Sequence, residues 1–388
     1  MDIKSLRRQT PGTQHVIHFN NAGASLMPEP VTDAVISYLR EESRRGGYET
    51  AQKHHTSLEN IYPTIGNFIN ADKDEIAILE NATAAWNMAF FAVDFTDGDR
   101  ILTSMAEYAS NFLGYLKLQE KVDVQIDVIP NDASGQTSVD ALRKMMAPDV
   151  RLVSITHIPT NSGLVNPIEE IGTIANQYPC LYLVDACQSV GQYPVDVQQV
   201  GCDMLSATGR KYLRGPRGTG FLYVNRDALP HLSPPFLDLH AAEWTGRSSY
   251  QMRDDARRFE NWEANYAGIL GLKQAVQYAQ KLGIENIWNR ITTLAHRLRR
   301  ELSHLPNVTL RDIGETQCGI VTFTVDGENA TDIQQALHQK NINVNTSSQS
   351  STLLDMEQRN LREVIRASVH YYNTNEEIEE FTDLLETI

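Results

Sequence analysis

Two residues with complementary chemistry, an acid and an amine, follow neighbouring apolar runs in the middle of the chain. Asp185 ends the apolar run 181–185, and Lys211 comes three residues after the next run, 204–208. If both runs are parallel strands, their carboxyl ends meet at one edge of a sheet, where ligands bind in open α/β folds. The spacing therefore predicts that a carboxylate and an amine face the same ligand.

Pyridoxal phosphate (PLP) is a cofactor that needs this pair, because it takes a lysine as its Schiff base and a carboxylate against its pyridine nitrogen. Its phosphate needs a separate anchor. Ala82 and Thr83 open a predicted helix soon after the predicted strand 75–79. The unpaired N–H groups and the positive dipole end of such a helix bind anions. Thr208 and Arg210 can add a hydroxyl and a positive charge to the same anchor.

Each of these features also has a common structural explanation. An Asp after a strand is often a turn former, a Lys is usually solvated, and Asn-Ala-Thr before a helix is often only a cap. The order of the features along one α/β sheet favours the PLP interpretation. An anion-binding helix start comes first, then an acid at a strand end, then a lysine after the next strand.

Six segments spread over nearly the whole chain have the character of family motifs. They are 19–23 (FNNAG), 81–83 (NAT), 157–163 (HIPTNSG), 184–188 (VDACQ), 208–211 (TGRK) and 366–374 (RASVHYYNT). With these segments the chain resembles the class V aminotransferases of PLP fold type I. That family includes cysteine desulfurases, C–S lyases that act on cystine and cysteine conjugates, and isopenicillin N epimerase. The motifs are specific to the family but not to one of its reactions.

The resemblance implies a role for each residue of the site. Lys211 and Asp185 are expected to be catalytic, as the Schiff-base lysine and the partner of the pyridine nitrogen, together with Tyr108, which stands where the family stacks a His on the cofactor. Gln188 is expected near the ring hydroxyl and Arg366 at the substrate carboxylate. The implied cofactor-binding residues are Ala82, Thr83, Tyr108, Asn161, Asp185, Gln188, Thr208, Arg210 and Lys211, and the implied substrate-binding residues are Asn20, Ala22, Gly23, Asn161 and Arg366.

Four departures from the family pattern bear on the reaction. Tyr108 can stack as well as His but is a poorer proton carrier near neutral pH. The segment 345–351, interpreted as a loop, contains no cysteine where desulfurases carry one, and a serine hydroxyl cannot accept sulfur as a persulfide. Asn345 stands where desulfurases place a second Arg. The segment 258–265 replaces the Gly-Thr-Pro that reaches a partner subunit's phosphate.

These departures favour a PLP-dependent C–S β-lyase that acts on a cysteine-derived thioether, sulfoxide or disulfide. It would release pyruvate, ammonia and a sulfur product, and elimination needs no protein thiol. Three alternatives stay open. They are an aminotransferase or epimerase of an amino acid, a cysteine desulfurase-like enzyme with an external sulfur acceptor, and a non-enzymatic PLP-binding module.

The elements that must position these residues alternate between apolar runs and helical periodicity, which indicates an α/β protein. Seven strands are predicted at 75–79, 100–103, 124–129, 150–156, 181–185, 204–208 and 220–224, and three more at 308–310, 319–325 and 365–369. With the resemblance, this pattern predicts PLP fold type I, in which a large domain with a mostly parallel seven-stranded sheet precedes a smaller C-terminal α/β domain. We expect an N-terminal arm at 1–20 that packs on the small domain, the large PLP-binding domain at 21–263 and the small domain at 264–388.

Composition excludes several classes of function. The 388 residues carry a net charge of −15, which argues against nucleic acid as a partner. No window approaches about 18 consecutive apolar residues, and the N-terminus lacks the apolar core of a secretory signal, so we expect a cytoplasmic protein with no membrane contact. The four cysteines lack Cys-x-x-Cys spacing, so we expect no metal site and no disulfide. The resemblance implies a homodimer that binds a small amino acid substrate.

Overall fold

A computed structural model describes residues 1–387, which form 14 α-helices and 15 strands. The helices are α1 (Ile3–Arg8), α2 (Glu29–Arg45), α3 (Gly47–Glu59), α4 (Ile61–Ile69), α5 (Ala82–Phe90), α6 (Ala109–Gln119), α7 (Val139–Met145), α8 (Ile168–Ala175), α9 (Val197–Val200), α10 (Tyr266–Leu282), α11 (Ile284–Ser303), α12 (Ala330–Gln339), α13 (Leu353–Gln358) and α14 (Asn375–Thr387). The strands are β1 (Ile17–His18), β2 (Ile76–Leu79), β3 (Arg100–Ser104), β4 (Gln125–Ile129), β5 (Val150–Thr156), β6 (Leu181–Asp185), β7 (Met204–Thr208), β8 (Gly220–Val224), β9 (Ala242–Gly246), β10 (Ser249–Met252), β11 (Val308–Leu310), β12 (Ile320–Val325), β13 (Ile342–Asn343), β14 (Asn345–Ser348) and β15 (Glu363–Ser368).

The larger sheet has seven strands in the order β2-β8-β7-β6-β5-β3-β4. Strands β3 to β7 are parallel to their neighbours among themselves, whereas β8 is antiparallel to both β7 and β2. The sequence-based prediction of a mostly parallel seven-stranded sheet is confirmed. Strand β8 reverses direction because only a short connection without a helix, 209–219, separates it from β7, and a parallel neighbour would need a longer crossover.

The strands of the larger sheet are buried on both faces, so they consist of continuous apolar runs rather than alternating ones. Successive side chains of β5 enter different cores because the side-chain period of a strand is two. Leu152 packs with Leu183 and with Trp86 of α5 on one face. Val153 packs with Ile171 of α8 on the other. This packing holds the carboxyl ends of β5, β6 and β7 side by side.

The smaller sheet has four antiparallel strands in the order β11-β12-β15-β14. Helix α11 covers it with an apolar stripe at helical spacing, made of Ile287, Ile291, Leu294, Leu298 and Leu302, all of which are buried. The structure corrects the expectation that 345–351 is a loop, because residues 345–348 form the edge strand β14, with Asn345 opposite Arg366. A run of small polar residues shows no apolar alternation, so the sequence pattern does not indicate this strand.

The N-terminal segment packs beside the smaller sheet. Leu6 of α1 belongs to the same buried cluster as Ile291 and Ile365, and β1 pairs in parallel with β13 through Ile17 and Ile342. Along the chain, α2, α3 and α4 come between this segment and the first strand of the larger sheet, β2. None of these three helices is among the predicted elements.

Within residues 1–387, none of the helices has both the length and the apolar character needed to cross a membrane. Over the same residues, no cluster of three or more His, Cys, Asp or Glu side chains is arranged to hold a metal ion. The four cysteines are unpaired thiols.

Candidate active site

A cavity of about 400 Å³ opens at the carboxyl ends of β5, β6 and β7, which end at Thr156, Asp185 and Thr208. Its lining residues come from many separate segments of the chain. They are Glu80, Asn81, Ala82, Thr83, Tyr108, Asn111, Thr156, Ile158, Thr160, Asp185, Cys187, Gln188, Thr208, Arg210, Lys211, Arg217 and Gly218. The cavity therefore brings together eight of the residues predicted from the sequence.

Asp185 is held in place at the end of β6. Only 5% of the residue is exposed, and its carboxylate accepts hydrogen bonds from Asn111 Nδ2 to Oδ2 (2.9 Å) and from the Cys187 backbone N to Oδ1 (2.9 Å). Burial raises the pKa of this carboxyl above its usual value. A carboxylate in this setting favours a cationic group placed in the cavity.

Lys211 lies in the turn that follows β7. Burial lowers the pKa of its amine, and the Cys187 thiol lies within hydrogen-bonding reach of the amine. The same burial raises the pKa of the Cys187 thiol. The lysine is thus a desolvated amine that loses its proton more readily than an exposed lysine, as a nucleophile or a base requires.

The start of α5 forms another part of the cavity wall. The Asn81 side chain caps this helix by accepting a hydrogen bond from Ala84 N (2.9 Å), which leaves Ala82 and Thr83 of the first turn at the cavity wall. Nearby, Thr208 Oγ1 donates to the Thr219 carbonyl (3.3 Å). The backbone N–H groups at the helix start suit an anion.

Tyr108 and Gln188 also line the cavity. Tyr108 precedes α6 and is 37% exposed. Gln188 is buried; its Nε2 donates to the Ala22 carbonyl (3.1 Å), while its Oε1 has no hydrogen-bond partner among residues 1–387. This buried oxygen is an acceptor that a ligand in the cavity can use.

Asn20, Ala22 and Gly23 are not among the residues that line the cavity, but their segment contacts residues that do. In addition to the bond from Gln188 to Ala22, Arg210 Nη1 donates to the Gly23 carbonyl. Asn20 bridges to Ser368 of β15, and its buried Oδ1 has no partner within the described chain. The structure therefore joins the predicted substrate segment to two predicted cofactor residues through hydrogen bonds.

Arg366 and Asn161 are also not among the residues that line the cavity. Arg366 lies on β15, is 5% exposed, and donates from Nη1 to Oγ1 and the carbonyl of Thr160, which does line the cavity. Its Nε has no partner among residues 1–387, and burial lowers its pKa to about 10. Asn161 Nδ2 donates to Thr352 Oγ1 (3.1 Å). Arg366 therefore reaches the cavity wall through Thr160, whereas Asn161, which follows β5, bonds Thr352 just before α13.

The chain was compared with known families. Its sequence matches the profile of the family described as Aminotransferase class-V over residues 17–381. The chain belongs to the class V aminotransferase family. The resemblance seen in the sequence motifs is thereby confirmed.

Relatives within the family carry a narrower name. A probable cysteine desulfurase of Pyrococcus abyssi is 30% identical over 393 residues, which cover 99% of this chain and 97% of the relative. A cysteine desulfurase of Escherichia coli O1:K1 / APEC is 29% identical over 404 residues, which cover 100% and 96%.

Solved structures agree with this fold. The apo cysteine desulfurase of Thermococcus onnurineus NA1 superposes with a TM-score of 0.92 at 28% identity, covering 99% of this chain and 97% of that one. The cystine C–S lyase C-DES, in complex with its product cysteine persulfide, superposes with a TM-score of 0.88 at 25% identity, covering 97% and 99%. The expected PLP fold type I is confirmed.

As a class V aminotransferase, the protein is a PLP-dependent enzyme, and a lysine variant of C-DES has been solved with glycine covalently linked to its PLP cofactor. The side chains of this cavity fit that cofactor. The desolvated amine of Lys211, the buried carboxylate of Asp185, the unpartnered Oε1 of Gln188 and the anion-binding start of α5 supply the four kinds of contact that PLP requires.

Several residues that shape the site were not among those predicted. Asn111 bonds Asp185, Thr160 bonds Arg366, and Cys187 lines the cavity beside Lys211. The first two contacts join residues 74 and 206 positions apart, so no local spacing could reveal them. Cys187 was visible in the motif 184–188, directly between Asp185 and Gln188, but was not singled out.

Proposed function

We propose that the protein removes sulfur from cysteine at a PLP site and passes it to a thiol outside the segment 345–351. The observation that carries the proposal is that Lys211 and Asp185 line one cavity, while β14, which pairs with the strand of Arg366, contains no cysteine. The desulfurase relatives support this alternative better than the β-lyase that the sequence analysis favours.

Lys211 would hold the cofactor and then act as the base. PLP, when bound, supplies an electron sink that stabilises negative charge at Cα of an amino acid. Because burial lowers the pKa of Lys211, its Nζ is more readily uncharged and can take the proton from Cα. Asp185 would hold the positive charge on the ring nitrogen, and the hydrogen bonds from Asn111 and Cys187 fix the direction of its carboxylate.

Arg366 would bind the substrate carboxylate. Its guanidinium is buried and forms no ion pair with a carboxylate in the part of the chain that the structure describes, and its Nε lacks a partner. A buried guanidinium with unused donors suits a bidentate contact with a carboxylate. Thr160, which bonds Nη1, would orient that contact.

The sulfur transfer balances without an added oxidant. Cysteine and an acceptor thiol RSH give alanine and the persulfide RSSH, so that one C–S bond breaks and one S–S bond forms. Within residues 1–387 the thiol at the cavity is Cys187, whose pKa burial raises, which disfavours the thiolate that sulfur attack requires. The acceptor is therefore proposed to be external.

The test is to incubate the PLP-loaded enzyme with L-cysteine, with and without an added small thiol such as dithiothreitol, and to measure alanine and sulfide. We expect alanine and sulfide to form together and to depend on the added thiol. Lys211→Ala should form neither. Cys187→Ala should still form alanine, at a reduced rate because Lys211 loses a contact. Complete loss of alanine in Cys187→Ala with PLP still bound would make Cys187 the acceptor and overturn the proposal of an external one.

A second candidate is elimination from cystine, which is favoured by the missing thiol of β14 and by the structural likeness to the cystine C–S lyase. The same enzyme would then release pyruvate from L-cystine and form little alanine from L-cysteine. Measuring pyruvate and alanine from both substrates separates the two candidates. Exchange of the Cα proton without either product would instead favour epimerisation.

We further propose that the enzyme is a homodimer. Trp244 and Tyr250 lie exposed on the hairpin of β9 and β10, and Trp262 is exposed nearby. The segment 260–266 lines a second cavity of about 400 Å³, which shares Glu80 and Gly218 with the first. Sedimentation equilibrium should show a dimer, and replacing Trp244 and Tyr250 by Lys should weaken it. A wild-type monomer would contradict this proposal.

A further inference from the structure

A second buried carboxyl lies directly behind Asp185. Glu107 follows β3 and is 3% exposed. Asn111 Nδ2 donates one hydrogen to Glu107 Oε1 (2.8 Å) and the other to Asp185 Oδ2 (2.9 Å). One amide group therefore bridges two carboxyls, of which only Asp185 is assigned a role by the family resemblance.

The remaining contacts of Glu107 are all neutral. Oε1 also accepts from the backbone N of Tyr108 (3.0 Å) and from Thr156 Oγ1, and Oε2 accepts from Thr103 Oγ1 (2.9 Å). In the described part of the chain no Lys, Arg or His is paired with Glu107. Burial is the main cause that raises its pKa, to about 7, and the neighbouring charge of Asp185 adds to the increase.

The hydroxyls around Oε2 can serve both protonation states of Glu107. Thr103 Oγ1 also lies 3.4 Å from Tyr115 Oη, and either of these two atoms can be the donor. Tyr115 Oη in turn donates to Ser154 Oγ (2.8 Å). Thr103 can therefore donate to an ionised Glu107, or accept from a protonated Glu107 and turn its own hydrogen toward Tyr115.

The titratable groups that face Glu107 from the surrounding elements are Asp185 at the end of β6 and Tyr115 on α6. Burial raises the pKa of Tyr115 well above its usual value, so this side chain stays neutral at physiological pH. Strands β3 and β5 contribute only Thr103 and Thr156. A proton gained or lost at Glu107 therefore acts directly on one neighbouring charge, that of Asp185. Lys211 and Cys187 interact with Asp185 in turn.

We propose that Glu107 is a positioning residue that acts through Asn111 on Asp185, so that one proton gained or lost at Glu107 changes the negative charge offered to the ring nitrogen of PLP. Ionised Glu107 adds a second negative charge behind Asp185 and strengthens the hold on a protonated nitrogen. Protonated Glu107 removes that charge and weakens the hold. The inference rests on the PLP site of the proposed function, but not on which sulfur substrate the enzyme takes.

The experiment records the visible absorption of the PLP-loaded enzyme, without substrate, from about pH 5.5 to about pH 9. The wild type should show a spectral transition with a midpoint near pH 7. Glu107→Gln, which keeps the shape of the side chain but not the titration, should lose that transition. Thr103→Val removes a donor to the ionised form, so the transition should move to higher pH.

Glu169→Gln is the matched control. Burial also raises the pKa of Glu169, but this carboxyl lies on α8 and forms none of the hydrogen bonds described above, so the transition should stay as in the wild type. If Glu107→Gln binds PLP and titrates like the wild type, or if Thr103→Val leaves the midpoint unmoved, the inference is overturned. If the wild type shows no PLP band at all, the proposed function itself fails.

Discussion

The site has a cofactor end inside the cavity, at Asp185, and a substrate end behind the cavity wall, where Arg366 bonds Thr160, and the two are built in different ways. At the cofactor end, Asp185 is fixed by hydrogen bonds from Asn111 and from its own turn, and all of these groups belong to the larger sheet and α6. At the substrate end, Arg366 comes from the smaller sheet, and its side chain bonds only Thr160 among the described residues. At the cofactor end, both oxygens of Asp185 thus already accept hydrogen bonds from the protein. At the substrate end, Arg366 Nε has no acceptor among the described residues.

This difference suggests how the fold divides its tasks. A preorganised electrostatic site needs no reorganisation at the moment of reaction, and the packed strands β5 to β7 provide that rigidity. The side chain that would bind the substrate carboxylate lies on a separate sheet, so changes in substrate can be accommodated there without disturbing the cofactor end. Variants at each end should therefore affect different quantities.

The largest effect is expected at the cofactor end. Asp185→Asn removes the charge and leaves a single side-chain oxygen to accept from either Asn111 or the Cys187 backbone N, so we expect kcat to fall about 10²- to 10³-fold, as when one preorganised electrostatic partner is lost. The dissociation constant of PLP should rise as well. Asp203→Asn is a matched control, because burial also raises the pKa of Asp203 at the other end of these strands. Equal losses in both variants would show that Asp185 has no special role.

A smaller effect, confined to substrate binding, is expected for Arg366→Lys. The ammonium of lysine cannot form the two parallel hydrogen bonds that a planar guanidinium forms with a carboxylate. We therefore expect KM for the amino acid substrate to rise about 10- to 100-fold, the equivalent of one charged hydrogen bond. The absorption of bound PLP should remain that of the wild type. Arg311→Lys, on the same side of the molecule with Nε bonded to Thr324, should leave KM unchanged. A lost PLP band in Arg366→Lys would contradict the division between the two ends.

The third effect is one of stability at the cofactor end, rather than of catalysis or substrate binding. The folded protein raises the pKa of Glu107 from 4.5 to about 7, so between these values it binds more protons than the unfolded chain. The free energy of unfolding therefore falls as pH rises through this window. Glu107→Gln should lack this fall, which is on the order of 3 kcal/mol. Urea denaturation of both proteins at about pH 5 and pH 8 measures it, and parallel profiles would contradict the expectation.

The cofactor end was also the more predictable of the two from sequence. The structure gives β5, β6 and β7 the same bounds as the predicted strands, because strands buried on both faces are continuous apolar runs. Residues at the ends of such runs, such as Asp185, are located by the same signal. The position of Lys211 is predicted in the same way, because this residue comes three positions after the end of β7.

The parts that sequence did not predict share a physical reason. Helix α2 has 17 residues but buries only Val31 and Tyr38, so its apolar stripe is too thin to indicate a helix. Strand β14 has no apolar alternation at all. Contacts such as Asn111 with Asp185 depend on which strand ends lie adjacent in the folded sheet, and local periodicity does not encode that adjacency.

In the proposed function, Lys211 holds PLP in a cavity whose cofactor end is built in advance. The most direct test is the visible absorption spectrum of the PLP-reconstituted wild type beside that of Lys211→Ala. We expect a visible band in the wild type that is lost in the variant, while the far-ultraviolet circular dichroism of the two proteins stays the same. A band of equal strength in both proteins, or in neither, would contradict it.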